Sequence, residues 1–271
     1  MIKILHLCTI SLVVLLSACS TIVPGPSGKP SQSALSPPTS LATRSTEPIA
    51  AYNRVLERFV NQRGQVDFAG LAARAEDFNA YLDFVANEPL SGFTDGSEKL
   101  AHLINAYNAL SMFNVIASGF PTTHAGLAKV RFFALRKLPF AGGNITLYDL
   151  ENSVIRPLGE PRVHFALNCS ARACPVLPRQ AFSGKDLNSQ LEREAKAFFS
   201  SADNLRIEAR AATVWVSEIL KFYFEDFVAP GSANPSYRLI DYINRYAPTS
   251  VPLTYEVRFI PYDWTVANWL R

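Results

Sequence analysis

The spacing of apolar residues divides the chain into a leader, a stretch without periodicity and one folded region. Residues 4–18 form an apolar run behind the single charge of Lys3. It is shorter than the roughly 20 residues that span a bilayer, and so predicts a cleaved leader. Residues 20–48 are rich in Pro and Ser and hold no aromatic residue, a composition that cannot bury enough surface to fold. Helical spacing begins at Ile49, with Tyr52, Val55, Leu56, Phe59 and Val60 recurring at three and four. A second helix is predicted over 71–86 with Phe78, Leu82 and Val85 inward, and a third over 97–117. The third has few polar interruptions, the mark of a buried central helix.

Beyond it the pattern predicts a strand at 145–147, a helix at 148–156, a strand at 162–168 and a helix at 185–199. Strands at 205–209 and 213–216, helices at 217–228 and 237–246 and a strand at 255–261 follow. Strands and helices do not alternate regularly, so the expectation is an α+β domain with a mixed or antiparallel sheet packed by helices. The organisation read this way is a leader over 1–18, a tether over 19–48 and a single domain over 49–271.

Small residues before a cysteine, Leu16-Ser17-Ala18-Cys19, close the leader in the pattern that marks a bacterial lipoprotein. Lipid on Cys19 would hold the chain to a membrane, because several acyl chains together anchor where one does not. Ser20 stands where an inner-membrane retention signal would place Asp, so the expected address is the outer membrane, with the domain in the periplasm. The formal net charge is +3, and it is spread without a run of basic residues, which argues against a nucleic-acid partner. With Cys8 lost and Cys19 lipidated, Cys169 and Cys174 are the thiols left in the fold, in an oxidising compartment.

Alternation along the predicted strand 162–168 puts Val163, Phe165 and Leu167 on one face and His164 on the other with Ala166 and Asn168. An imidazole in that setting suits acid–base work. Cys169 continues the face opposite His164, whereas the loop after it can turn Cys174 back, so Cys174 is the better placed nucleophile. Three readings of the pair stand side by side: a Cys169–Cys174 disulfide, a reactive thiol, and a metal site with His164. The last lacks the paired spacing of zinc motifs, and neither metal nor cofactor is expected. Asn105, Tyr107 and Asn108 interrupt the apolar central helix, where unpaired amides would cost on the order of 1 to 3 kcal/mol; they read either as polar staples or as a cleft wall. Glu151 is a candidate to orient His164 by accepting its ring proton.

The segments 103–110 (LINAYNAL), 145–156 (ITLYDLENSVIR), 161–177 (PRVHFALNCSARACPVL), 216–227 (VSEILKFYFEDF) and 262–265 (YDWT) resemble, in order, the blocks of the domain of unknown function 547 family. Residue by residue, the resemblance implies family positions at Asn105, Tyr107, Asn108, Glu151, Arg156, Arg162, His164, Asn168, Cys169, Cys174, Pro175, Tyr262, Asp263 and Trp264. His102 and Leu103 stand where the family usually has an aromatic pair, and Asn152 where it often has His, so His102 is not expected to be a shared catalytic group. The resemblance implies no activity. The chemistry expected from the residues is a thiol-dependent hydrolase or transferase acting on an amide-like bond in periplasmic peptide or cell-wall material. In it Cys174 or Cys169 is nucleophile, His164 base and Glu151 orienter, with Asn105 or Asn168 holding the oxyanion. The alternative is a ligand- or partner-binding module with a structural Cys169–Cys174 disulfide, its pocket lined by His164, Asn105, Tyr107 and Arg162.

Overall fold

A computed structural model describes residues 47–229 and 234–269. The leader, Cys19 and the tether lie outside them. The helical half opens with α1 (Glu47–Phe59), α2 (Phe68–Ala73), α3 (Glu76–Asn87) and α4 (Gly96–Ala117). α1 packs along α3, with Tyr52 stacked on Tyr81 at 4.2 Å between ring centroids. α4 is buried along nearly its whole length, including His102, Asn105 and Asn108, as its sparse polar pattern predicts. Asp95 caps it by accepting the Glu98 N–H at 2.9 Å, which supplies one of the donors a helix start leaves over. His102 is packed between Phe93 and Phe84 rather than aimed at a cavity.

After α5 (Leu127–Val130), continued as a π-turn over Arg131–Leu135, the strands β1 (Leu138–Phe140) and β2 (Gly143–Ile145) form a hairpin. Its two turn residues, Ala141 and Gly142, both have positive φ, the geometry that matches strand twist in a two-residue turn. α6 (Leu147–Asp149) runs into a π-helical stretch, Leu150–Ile155. Then come α7 (Leu187–Ser200), β3 (Leu205–Glu208), β4 (Thr213–Ser217), the short helices α8 (Ile219–Phe222) and α9 (Phe224–Phe227), α10 (Pro235–Ile243) and β5 (Glu256–Ile260). β3 and β4 pair antiparallel, and β4 pairs parallel with β5. The fold is α+β, with a mixed three-stranded sheet as its larger sheet among the described residues. No helix of the described residues is long and apolar enough to cross a membrane.

Three expectations are corrected. The segment 217–228 is the two short helices α8 and α9, separated at Tyr223. The region 71–86 is two helices, α2 and α3, separated by a break at Arg74 and Ala75. The segment 162–168 is no strand: Pro161–Phe165 is a 3-10 turn. It runs between two hydrophobic cores. Val163 and Leu167 join the core of α1–α4, whereas Phe165 enters the core of the sheet, against Phe198, Phe199 and Phe227. Apolar residues two apart thus serve opposite sides of a tight turn, a pattern that periodicity alone does not distinguish from a strand.

Candidate active site

Everything at the site depends on how the chain from Asn168 to Pro175 is held. Asn168 closes it: its Oδ1 accepts the Ser170 N–H and its Nδ2 donates to the Pro175 carbonyl, both at 2.7 Å. Ser170 takes a left-handed φ of 64°, a conformation disfavoured for a residue with a Cβ. It is fixed there by contact with Ser111 Oγ at 3.0 Å and by the Ala267 N–H donating to its carbonyl. The segment after β5 straps the outside, with the N–H groups of Arg172 and Ala173 donating to Thr265 and Asp263 carbonyls.

Held in this way, the loop brings both sulfurs together. Cys169 and Cys174 are free thiols with Sγ atoms 2.6 Å apart, well beyond the roughly 2.05 Å of an S–S bond. The Cys169 N–H donates to Cys174 Sγ at 3.0 Å, and Tyr262 Oη lies 3.0 Å from Cys174 Sγ and 3.4 Å from Cys169 Sγ. Burial opposes charge on Cys174, but donors from Cys169, Tyr262 and the loop backbone outweigh it and lower its pKa. Cys169 is pushed the other way, by its bond to Cys174 and then by burial. The two sulfurs titrate together, and the surrounding donors favour Cys174 as the one that ionises more readily. Burial, with Cys169 and Cys174 nearby, keeps the Tyr262 hydroxyl protonated and so a donor. The backbone N–H of Tyr262 donates to Glu218 Oε2 at 2.9 Å, which seats the ring.

Across a cavity of about 50 Å3 stands His164. Its Nε2 is 2.7 Å from Asp226 Oδ2, and its ring lies on Tyr223 at 3.9 Å. Asp226 also accepts a two-pronged bond from Arg156, at 2.7 and 2.8 Å. Burial would raise the Asp226 pKa, but Arg156 and His164 hold it well below the usual carboxylate range. His164 Nδ1 is buried without a hydrogen-bond partner. Glu151 and Tyr107 complete the lining, the Tyr107 hydroxyl donating to Glu151 Oε2 at 3.0 Å. Tyr223 hydrogen-bonds Glu151 as well. Phe133, Phe222 and Trp264 close the rim. On the other face of the loop lies a larger cleft of about 740 Å3, and Cys174 and Pro175 line both hollows.

Cys169, Cys174, His164, Glu151 and Tyr107 thus converge, but with pairings other than those expected. Asp226, and not Glu151, holds His164. The 3-10 turn, having no strand faces, leaves Cys169 and His164 on one cavity. Asn105 is a staple, exchanging two hydrogen bonds with the backbone of Phe182. Asn108 staples Ala166 and Asn168 in the same manner, and Asn168 is spent inside its own loop. These amides satisfy backbone groups and point at no oxyanion. Arg162 lies elsewhere, paired with Glu160 at 2.6 Å and bonded to Asn188. Asn152 accepts from Arg156 at 2.6 Å, supporting the arginine that holds Asp226. Sequence reasoning assigned no role to Tyr223, Asp226 or Tyr262, although all three sit in the quoted blocks 216–227 and 262–265. Among the described residues no group of three or more His, Cys, Asp and Glu is placed to hold a metal ion.

Residues 90–199 match the model of a family described as "Protein of unknown function, DUF547". The match takes in α4, Glu151, His164, both cysteines and α7. It stops short of Tyr223, Asp226 and Tyr262, which complete the site from the sheet half. Comparison with curated proteins and with solved structures finds no match to the chain.

Proposed function

We propose that this chain is an envelope protein anchored by lipid at Cys19 on the periplasmic side of the outer membrane, and that its domain is a thiol-dependent hydrolase or transferase. The bond acted on is amide-like, in peptide or cell-wall material. The observation that carries the reading is the Cys174 sulfur, lowered in pKa by surrounding donors and lining both the small cavity and the larger cleft. The thiolate attacks the carbonyl carbon, the acyl group passes to sulfur as a thioester, and the amine leaves with a proton from the Cys169 thiol or the Tyr262 hydroxyl. Water or a second nucleophile then takes the acyl group and returns the proton. The cavity has room only for reacting atoms, and the cleft takes the rest of the substrate. His164 contacts neither sulfur by hydrogen bond; with Asp226 and Arg156 it is a positioning residue on the facing wall.

The test is alkylation by a peptide-like electrophile, followed by intact mass. One adduct on Cys174, forming at neutral pH and absent from Cys174→Ser, is expected; two slow adducts shared equally between the thiols would defeat the assignment. Loss of labelled palmitate incorporation in Cys19→Ser tests the anchor separately.

A second reading is favoured by the 2.6 Å approach of the sulfurs. Exchange with an external disulfide, which takes up two electrons and two protons, would join Cys169 to Cys174 and leave a binding module. In that case the protein isolated without reductant is lighter by the mass of the two lost hydrogen atoms, and resists alkylation.

A further inference from the structure

We propose that the face formed by α5, its π-helical continuation and the rim of the Cys174 cavity docks on an anionic phospholipid surface. The helical run Leu127–Leu135 puts apolar side chains into solvent: Leu127 is 88% exposed, Val130 49% and Leu135 42%. Exposed cations stand among them at Lys129, Arg131 and Lys137. None of the three is in an ion pair among the described residues, and the sequence from Lys99 to Tyr148 holds no Asp or Glu. Asp263, the acid next to Trp264, is committed to Thr265 and lies near Arg172.

The same face continues onto the site. Lys129 Nζ lies 3.9 Å from the Trp264 ring centroid and 5.4 Å from that of Phe222. Phe222 is 43% exposed, and it lines the cavity with Trp264 and Phe133. Apolar tips flanked by unpaired cations, with an aromatic ring between them, are the composition of an interfacial element: the side chains enter the acyl boundary while the ammonium and guanidinium groups meet lipid phosphates. Charge complementarity selects the occupant, because a face whose 127–137 run carries cations and no acid, with protruding apolar tips, suits an anionic surface. Docked in this way, the cavity mouth would face the bilayer. The inference does not depend on the chemistry of Cys174 or on lipid at Cys19.

The test uses the full chain in vesicles of phosphatidylcholine with and without phosphatidylglycerol, with Trp264 left as the only tryptophan by Trp215→Phe and Trp269→Phe. Phospholipids brominated near the headgroup serve as quencher. Expected are quenching of Trp264 in the anionic vesicles, weaker quenching in the neutral ones and in high salt, and its loss in Leu127→Glu/Val130→Glu. Should that variant fail to fold by thermal unfolding, Lys129→Glu/Arg131→Glu at exposed positions takes its place. Unquenched Trp264 on a chain that floats with anionic vesicles overturns the proposal and leaves any anchor untouched. Equal quenching in both variants overturns it too, as does a lipid-free dimer that the substitutions dissociate, which would make the face homotypic.

Discussion

On one wall of the small cavity the two sulfurs sit among neutral donors, a thiol, a phenol and backbone N–H groups; on the other, an imidazole is locked between a carboxylate and a tyrosine ring. The sulfur wall is made by a short loop whose donors converge from the loop itself and from the strap that follows β5. Its balance rests on the close approach of the two sulfurs. The imidazole wall is charged: Arg156, Asp226 and His164 form a chain in which the carboxylate is engaged on both oxygens. The contrast separates the roles. The proposed reactivity belongs where two thiols meet among neutral donors, and rigidity where opposite charges are packed at a partly buried site.

The sharpest way to break this division is Asp226→Asn. It leaves Arg156 and His164 without their acid and is expected to lower stability by about 2 to 4 kcal/mol, read as a fall in the urea midpoint at unchanged slope. Because the folded pKa of Asp226 lies below its unfolded value of about 3.9, its contribution is complete above that pH and is lost as pH falls below it. The variant should therefore lack the steep acid loss of the native chain below about pH 4.

The buried histidine that bonds the Cys169 backbone behind the sulfur wall has a different pH signature. His124, 1% exposed, has its pKa pushed by burial down to about 4, against a smaller opposing effect of its hydrogen bond to the Cys169 backbone. Between about 6.5 and that value the unfolded chain binds a proton that the folded chain refuses, so stability falls as pH falls through this window, by up to about 3 kcal/mol. Chemical denaturation at a series of pH values should show this loss beginning well above the Asp226 transition, and His124→Phe should flatten it. A native chain with one acid transition only, below pH 4, would erase the distinction.

The smallest effects fall on reactivity. Tyr262→Phe and Cys169→Ala each remove one donor to Cys174 and should slow its alkylation at neutral pH by about tenfold, with the alkylation midpoint moved to higher pH and unfolding little changed. Asp226→Asn should leave that midpoint near its native place. If instead it moved the midpoint as far as Tyr262→Phe does, the walls would be electrostatically one unit, and His164 would be closer to the chemistry than its hydrogen bonds place it.

Much of this architecture was legible locally. The buried central helix expected over 97–117 is Gly96–Ala117, and the strands expected at 205–209, 213–216 and 255–261 are β3, β4 and β5 to within a residue or so at their ends. The amides at Asn105 and Asn108 read as staples or cleft wall, and their backbone partners make them staples. The thiols, His164, Glu151 and Tyr107 were picked out by residue type in a polar-poor context and do share one cavity.

The partners of those residues were not legible. Asp226 reaches His164 across 62 residues, and Tyr262 reaches Cys174 across 88. Periodicity reports which face of an element is apolar over a few turns of chain; it carries no information about which distant side chain closes on that face. The sequence by itself therefore determined the α+β class, the helix that forms the core and the residue types capable of chemistry, because these follow from short-range patterning. Only the tertiary structure decided that His164 is tied to Asp226, that the Cys169 N–H and the Tyr262 hydroxyl meet at the Cys174 sulfur and that the cavity rim is apolar and cationic. Each of those depends on the meeting of the helical half with the sheet half, and on how much water is excluded when they meet.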